Sequence, residues 1–130
     1  MMIKLSIKTH AQTEMISIET QIQKAVDDSG VKDGLCCVYI PHTTAAVTIN
    51  EGADPSVVDD MLKELNRIVP FENNYSHMEG NSAAHIKTTL VGPQVTIIIE
   101  DGKLQLGTWQ SVFFCEFDGP RNRHAMIKII

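Results

Sequence analysis

The last third of the chain constrains the fold most, because between residues 95 and 129 the sequence reads as strand after strand with no helical pattern among them. Val95 to Ile99 is a continuous apolar run, as a central strand requires. Asp101-Gly102 turns the chain into Leu104-Gln105-Leu106. Residues 109–117 alternate, with Trp109, Phe113, Cys115 and Phe117 on one face and Gln110, Val112, Phe114 and Glu116 on the other. Gly119-Pro120 breaks the chain before a last strand around Ala125 to Ile129. Strands massed in this way, without regular βα alternation, predict an α+β fold with a large mixed β-sheet packed against helices. The length of 130 residues fits one domain spanning 1–130.

The earlier segments supply the helices. Ile3, Leu5 and Ile7 alternate with Lys4, Ser6 and Lys8, the period of a half-buried strand, and Met15 to Ile18 reads as a second. Thr20 precedes a helix carrying Ile22, Ala25 and Val26 on one face, with Gly30 as its stop. Leu35 to Ile40 reads as a buried strand, and Val47 to Ile49 as its continuation beyond a polar interruption. The clearest helix is 55–69, with Asp54 as N-cap and Pro55 at the first helical position. Its stripe of Val57, Val58, Met61, Leu62, Leu65, Ile68 and Val69 predicts burial on the order of 10 kcal/mol before entropy is subtracted. After a polar loop at 71–80, Asn81 or Ser82 starts a shorter helix running to about Leu90.

A formal net charge of −5 offers no overall field for nucleic acid or anionic lipid. No run approaches the roughly twenty apolar residues of a membrane span, and the N-terminus alternates where a signal peptide would be continuously apolar. The three cysteines, Cys36, Cys37 and Cys115, form no Cys-x-x-Cys pair, and two of them are adjacent in a strand, facing opposite ways. Buried thiols in a reducing, cytoplasmic setting are the expectation.

Three segments depart from ordinary core and surface: Pro41-His42-Thr43-Thr44-Ala45-Ala46 with Asn50-Glu51-Gly52-Ala53-Asp54, His77 to Lys87, and Leu106 to Gln110 with Glu116 to Arg123. His42, His77 and His85 stand beside small residues and turn formers, from which an imidazole can reach a cleft. They are expected to line one cavity, either as a three-nitrogen metal set or as acid–base groups. His10 and His124 read as surface residues near strand ends. Glu79, before a glycine, suits a general base, a metal ligand or a partner orienting histidine; a solvated loop acid is the alternative. Glu51 reads in the same two ways, and Asp54 as a helix cap. The helix start at Asn81-Ser82 presents free N–H groups to an anion. Arg121, with Thr43 and Thr44, completes a set suited to a phosphorylated small molecule. Arg121 and Arg123 suit pairing with Glu116 or Asp118 equally well. Walker, dinucleotide-binding and serine-elbow signatures are absent from the sequence.

His-Thr-Thr-Ala-Ala, Asn-Glu-Gly-Ala-Asp, His-x-Glu-Gly-Asn-x-Ala-Ala-His-Ile-Lys, Leu-Gly-x-Trp-Gln and Phe-Asp-Gly-Pro-Arg-x-Arg, in this order, closely resemble the YjbQ-like family. The resemblance spans nearly the whole chain. It implies a small α+β domain assembled as a homotrimer, and a secondary thiamine-phosphate synthase activity. In that reaction a hydroxymethylpyrimidine diphosphate is joined to a thiazole phosphate with release of pyrophosphate. Such a transferase would use Glu79, His85 and His77 in catalysis, and Thr43, Thr44, Asn81, Ser82 and Arg121 on the substrate. A divalent metal, zinc or magnesium, would sit on His42, His77 and His85. The competing class is an accessory module that holds a metal or small anion without turning it over.

Overall fold

A computed structural model describes residues 2–130. Eight strands and three helices follow in the order β1 (Met2–Lys8), β2 (Glu14–Ser17), α1 (Glu19–Ser29), β3 (Asp33–Tyr39), β4 (Ala45–Glu51), α2 (Pro55–Ile68), α3 (Ser82–Val91), β5 (Gln94–Glu100), β6 (Lys103–Leu104), β7 (Gln110–Glu116) and β8 (Asn122–Ile129). The class is α+β, as expected. The strands do not form one mixed sheet, however. They make a five-stranded sheet, β1-β8-β3-β5-β6, and a three-stranded sheet, β2-β7-β4, and every pairing is antiparallel. β4 therefore does not continue β3, because the polar segment between them carries the chain from one sheet to the other.

The local chemistry explains most boundaries. Gly30 ends α1 in the left-handed conformation (φ 74°), where a Cβ would be strained. Asp54 caps α2, its carboxylate accepting from the Ser56 N–H at 3.0 Å. Asp101 and Gly102, both at positive φ, make the tight turn joining β5 to β6.

The main core lies between the two sheets and α1. Ile22 and Val26 of α1, Val38 of β3, Val47 of β4, Phe114 of β7 and Ile127 of β8 are all buried there. A smaller cluster covers the other face of the small sheet, where Phe113, Cys115 and Phe117 meet Ala46 and Ala84, with Val58 and Leu65 of α2 packed alongside. The two-faced alternation of residues 111–117 thus feeds two separate apolar layers. α2 forms where its pattern predicts, but no residue of it is fully buried and Ile68 is 52% exposed, so the full burial expected of its stripe is not realised within one chain. The outer face of the large sheet is also uncovered, leaving Leu35, Tyr39 and Ile98 exposed.

Cys36 and Cys37 face opposite ways as adjacent strand residues must, Cys36 buried and Cys37 partly so. All three cysteines are free, and burial pushes the Cys36 thiol up to about 11 and the Cys115 thiol up to about 12. Among the described residues no helix is long and apolar enough to cross a membrane.

Candidate functional site

The loop at 71–80 and the start of α3 build a cleft. The Tyr75 hydroxyl donates to the Pro70 carbonyl at 2.6 Å, pinning the loop back onto the end of α2. Gly80 then turns at φ 76°, its N–H donating to the His77 carbonyl at 3.2 Å. The turn delivers His77 to His85, which lies in the first turns of α3. Their rings meet edge to face, with centroids 5.6 Å apart and planes at 87°. Both line a cavity of about 400 Å³ together with Tyr75, Ser76, Ser82 and Ile86. Glu79 is not in that lining; its carboxylate lies 4.0 Å from His77 Nε2, beyond hydrogen-bonding range.

Asn81 occupies the N-cap of α3 without capping it by its side chain. Its amide instead donates to Asp118 Oδ2 at 2.9 Å, and the same oxygen accepts from Arg121 at 3.0 Å. Asp118 thus links the helix start to Arg121, whose side chain remains 52% exposed. The Asn81 Oδ1 atom is buried with no partner. At the start of α3 the Ala84 and His85 N–H groups donate to the Asn81 carbonyl and Ala83 is fully buried, which leaves the Ser82 N–H to face an anion, with a guanidinium two links away.

The remaining candidates lie elsewhere. Thr43 is exposed, whereas Thr44 is buried and its hydroxyl accepts from Arg123 at 2.8 Å. Arg123 also donates through Nε to Glu116 Oε1 at 2.9 Å, and Thr9 donates to that oxygen at 2.7 Å. The other Glu116 oxygen accepts from the Asp118 N–H at 3.0 Å. Burial alone would push the Glu116 carboxyl up. The hydrogen bonds from Arg123, Thr9 and the Asp118 N–H, with the arginine's charge, outweigh burial and hold it below the ordinary carboxylate range. Both arginines therefore pair with the acids near them in sequence, Arg123 with Glu116 and Arg121 with Asp118.

His42 is not in the His77–His85 cavity. It stacks on His124, with centroids 6.3 Å apart, and its Nε2 accepts the His124 backbone N–H at 3.0 Å. Burial, then the charges of Arg123 and His124, hold its pKa below the usual value, which favours a neutral ring protonated at Nδ1. His124, expected at the surface, is half-buried, and its Nδ1 is enclosed without a partner. Four of the five histidines thus make two pairs. Among the described residues no group of three or more His, Cys, Asp or Glu side chains is placed to hold a metal ion, so the three-histidine set does not fit together within one chain.

Sequence reasoning gave no role to Lys87. It is fully buried, donates to the Asn66 side-chain oxygen of α2, and sits 4.6 Å from the Phe71 ring centroid and 6.0 Å from that of Phe117. Burial lowers its pKa. The only signal available was its position, one residue past the exposed Ile86 on a helix whose small residues imply close packing.

Comparison with known proteins gives one consistent answer. Residues 3–130 match the family described as UPF0047 protein YjbQ-like. A UPF0047 protein of Methanocaldococcus jannaschii is 53% identical, over 100% of this chain and 94% of that protein. YugU of Bacillus subtilis is 47% identical, over 97% of this chain and 96% of its own length. A crystal structure of a YjbQ/UPF0047 protein from Clostridium acetobutylicum superimposes with a TM-score of 0.97 at 53% identity, covering 98% of this chain and 99% of that one.

Proposed function

The chain belongs to the YjbQ family of UPF0047 proteins, and from this membership and the cleft's geometry we propose that it is a transferase of the thiamine-phosphate synthase type. It would join a pyrimidine diphosphate to a thiazole phosphate. The observation that carries the reading is the pairing of His77 and His85 at the uncapped start of α3, with Arg121 tied to that start through Asp118. In this reaction the benzylic-type C–O bond breaks with its electron pair going to pyrophosphate, and the thiazole nitrogen supplies the pair for the new C–N bond. Little covalent help is needed; the protein's task is to stabilise the departing anion and hold the partners in line. The Ser82 N–H at the start of α3 and Arg121 suit the phosphates. His85 and His77 suit proton transfer to the leaving oxygens, and Glu79 suits orienting the His77 ring beside it.

Purified protein should convert the two phosphorylated rings to thiamine phosphate. Glu79→Gln and His85→Ala should each lower turnover by about a hundredfold without unfolding the protein, since neither side chain belongs to the apolar clusters. Arg121→Ala should raise KM, because the contact it removes is made in ground and transition states alike. Full activity in both the Glu79 and His85 variants would move the reaction away from this cleft. A second reading, an anion-binding module without turnover, is favoured by the commitment of Thr44 and Arg123 to each other, which leaves Arg121, itself paired with Asp118, as the one arginine tied to the cleft. Saturable phosphate binding with no product from any phosphorylated candidate would select it.

A closed homotrimer belongs to the same proposal. The half-covered stripe of α2 and the exposed Leu35, Tyr39 and Ile98 leave apolar surface for a partner copy. Light scattering should give three times the chain mass at micromolar concentration; a monomer would refute it.

A further inference from the structure

The Leu-Gly-Thr-Trp-Gln segment takes no part in the cleft above. It forms one wall of a separate cavity of about 500 Å³, whose lining shares no residue with the His77–His85 cavity. We propose that this cavity is a second ligand site, for a small organic cation carrying an aromatic ring. The proposal does not rest on the transferase reading.

The site is built rather than incidental. Gln110 turns its side chain back to accept the Gly107 N–H at 2.8 Å, while its own N–H donates to the Gly107 carbonyl at 3.0 Å. The Gly52 N–H donates to the Trp109 carbonyl at 2.8 Å. Three hydrogen bonds thus fix the loop, yet Trp109 itself stays 64% exposed. Exposing an indole on a fixed loop forgoes burial that a ligand face would restore. Gly52 lets the chain lie close against β7 in the same lining, since a Cβ there would come 2.5 Å from Ser111 Cβ. In the same lining, the hydroxyls of Ser17 and Ser111 hydrogen-bond to each other at 2.8 Å.

Charge selects the ligand. Glu19 is the one ionisable side chain in the lining, and no lysine, arginine or histidine joins it there. Among the described residues Glu19 has no salt-bridge partner. A phosphate or carboxylate would meet an unpaired like charge. A cation gains the carboxylate and the negative face of the indole together. The volume admits one small molecule.

The test uses three one-ring probes of similar size and different charge: benzylammonium, benzyl alcohol and benzoate. Trp109 is the only tryptophan, so its indole N–H is a single resolved NMR signal, and calorimetry gives the affinities. Benzylammonium should shift that signal saturably, benzyl alcohol should bind about tenfold more weakly, and benzoate should show no saturation. Glu19→Gln should bring benzylammonium to within about twofold of the alcohol, and Trp109→Ala should weaken both by about tenfold. Benzoate binding as tightly as benzylammonium, no saturation with any probe, or an unchanged cation preference in Glu19→Gln would each overturn the proposal. The unsubstituted protein decides the first two outcomes by itself.

Discussion

Replacing Glu116 by glutamine removes the charge that Arg123 faces in a site where the two side chains are 0% and 6% exposed. With so little solvent to screen it, the guanidinium would be left buried against a neutral amide, and losing one partner of such a pair costs about 3–5 kcal/mol. The amide oxygen can still accept from up to two donors, which favours the lower end. The Thr9 hydroxyl and the Asp118 N–H, however, would compete with Arg123 for that single acceptor. With an unfolding entropy of about 2.1 cal/mol/K for each of 130 residues, 3 kcal/mol corresponds to a fall in melting temperature of roughly 10 °C. Urea unfolding and calorimetry at neutral pH measure both quantities. The pH dependence has a defined sign. Glu116 lies below its ordinary pKa when folded, so its contribution is complete above the unfolded value of about 4.3 and is lost as pH falls through the depressed folded value. The gap between wild type and Glu116→Gln should therefore close in acid. Glu116→Leu combined with Arg123→Met should recover most of the loss, because a buried pair is often no better than apolar residues of similar volume. A loss below about 1 kcal/mol, or a double variant no better than the single one, would refute this account of the cluster.

Three further outcomes follow from buried groups. Lys87→Met should keep or raise stability at neutral pH, since Lys87 has a lowered folded pKa; wild-type stability should gain relative to this variant as pH rises from that folded value toward 10.5, measured by urea unfolding at each pH. Gly119→Ala should destabilise by about 2 kcal/mol, because a Cβ would come 2.7 Å from Glu116 Cγ, 2.9 Å from Thr9 Oγ1 and closer still to the Ala11 carbonyl; thermal melting measures it. Iodoacetamide on the folded protein should label Cys37 alone, read by mass spectrometry, because Cys36 and Cys115 are buried and their thiols stay protonated.

What could be read from the sequence was local. Asp54-Pro55 and Pro70 bracket α2 because caps and proline act on their immediate neighbours, and Asp101-Gly102 announces its turn for the same reason. His77 and His85 were legible as a pair because one loop and one helical turn separate them. The partners of His42 and Glu116 were harder to read. His42 meets His124 across 82 positions and Glu116 meets Thr9 across 107, and alternation gives a side chain's face but not the strand it faces. The same blindness merged β3 and β4, since nothing in strand period says which sheet a strand joins. Lys87 has little signal in the sequence because a lysine on a short helix ordinarily faces water, and Asn66 of α2, Phe71 and Phe117, all distant in sequence, enclose it.

The placement of β8 has a consequence for biosynthesis. β1 has one strand neighbour, β8, and pairs with it from Met2↔Lys128 to Lys8↔Asn122. At about 5–20 residues per second, the ribosome needs roughly 6–20 s to pass from β1 to β8, and through that interval β1 has no partner of its own. β3 waits as well, since β8 is its neighbour on the side away from β5. The large sheet therefore closes by insertion of a late strand between two waiting edges. In released chains truncated before residue 122, protease should cut the β1 segment freely while the β3–β5 pairing already resists.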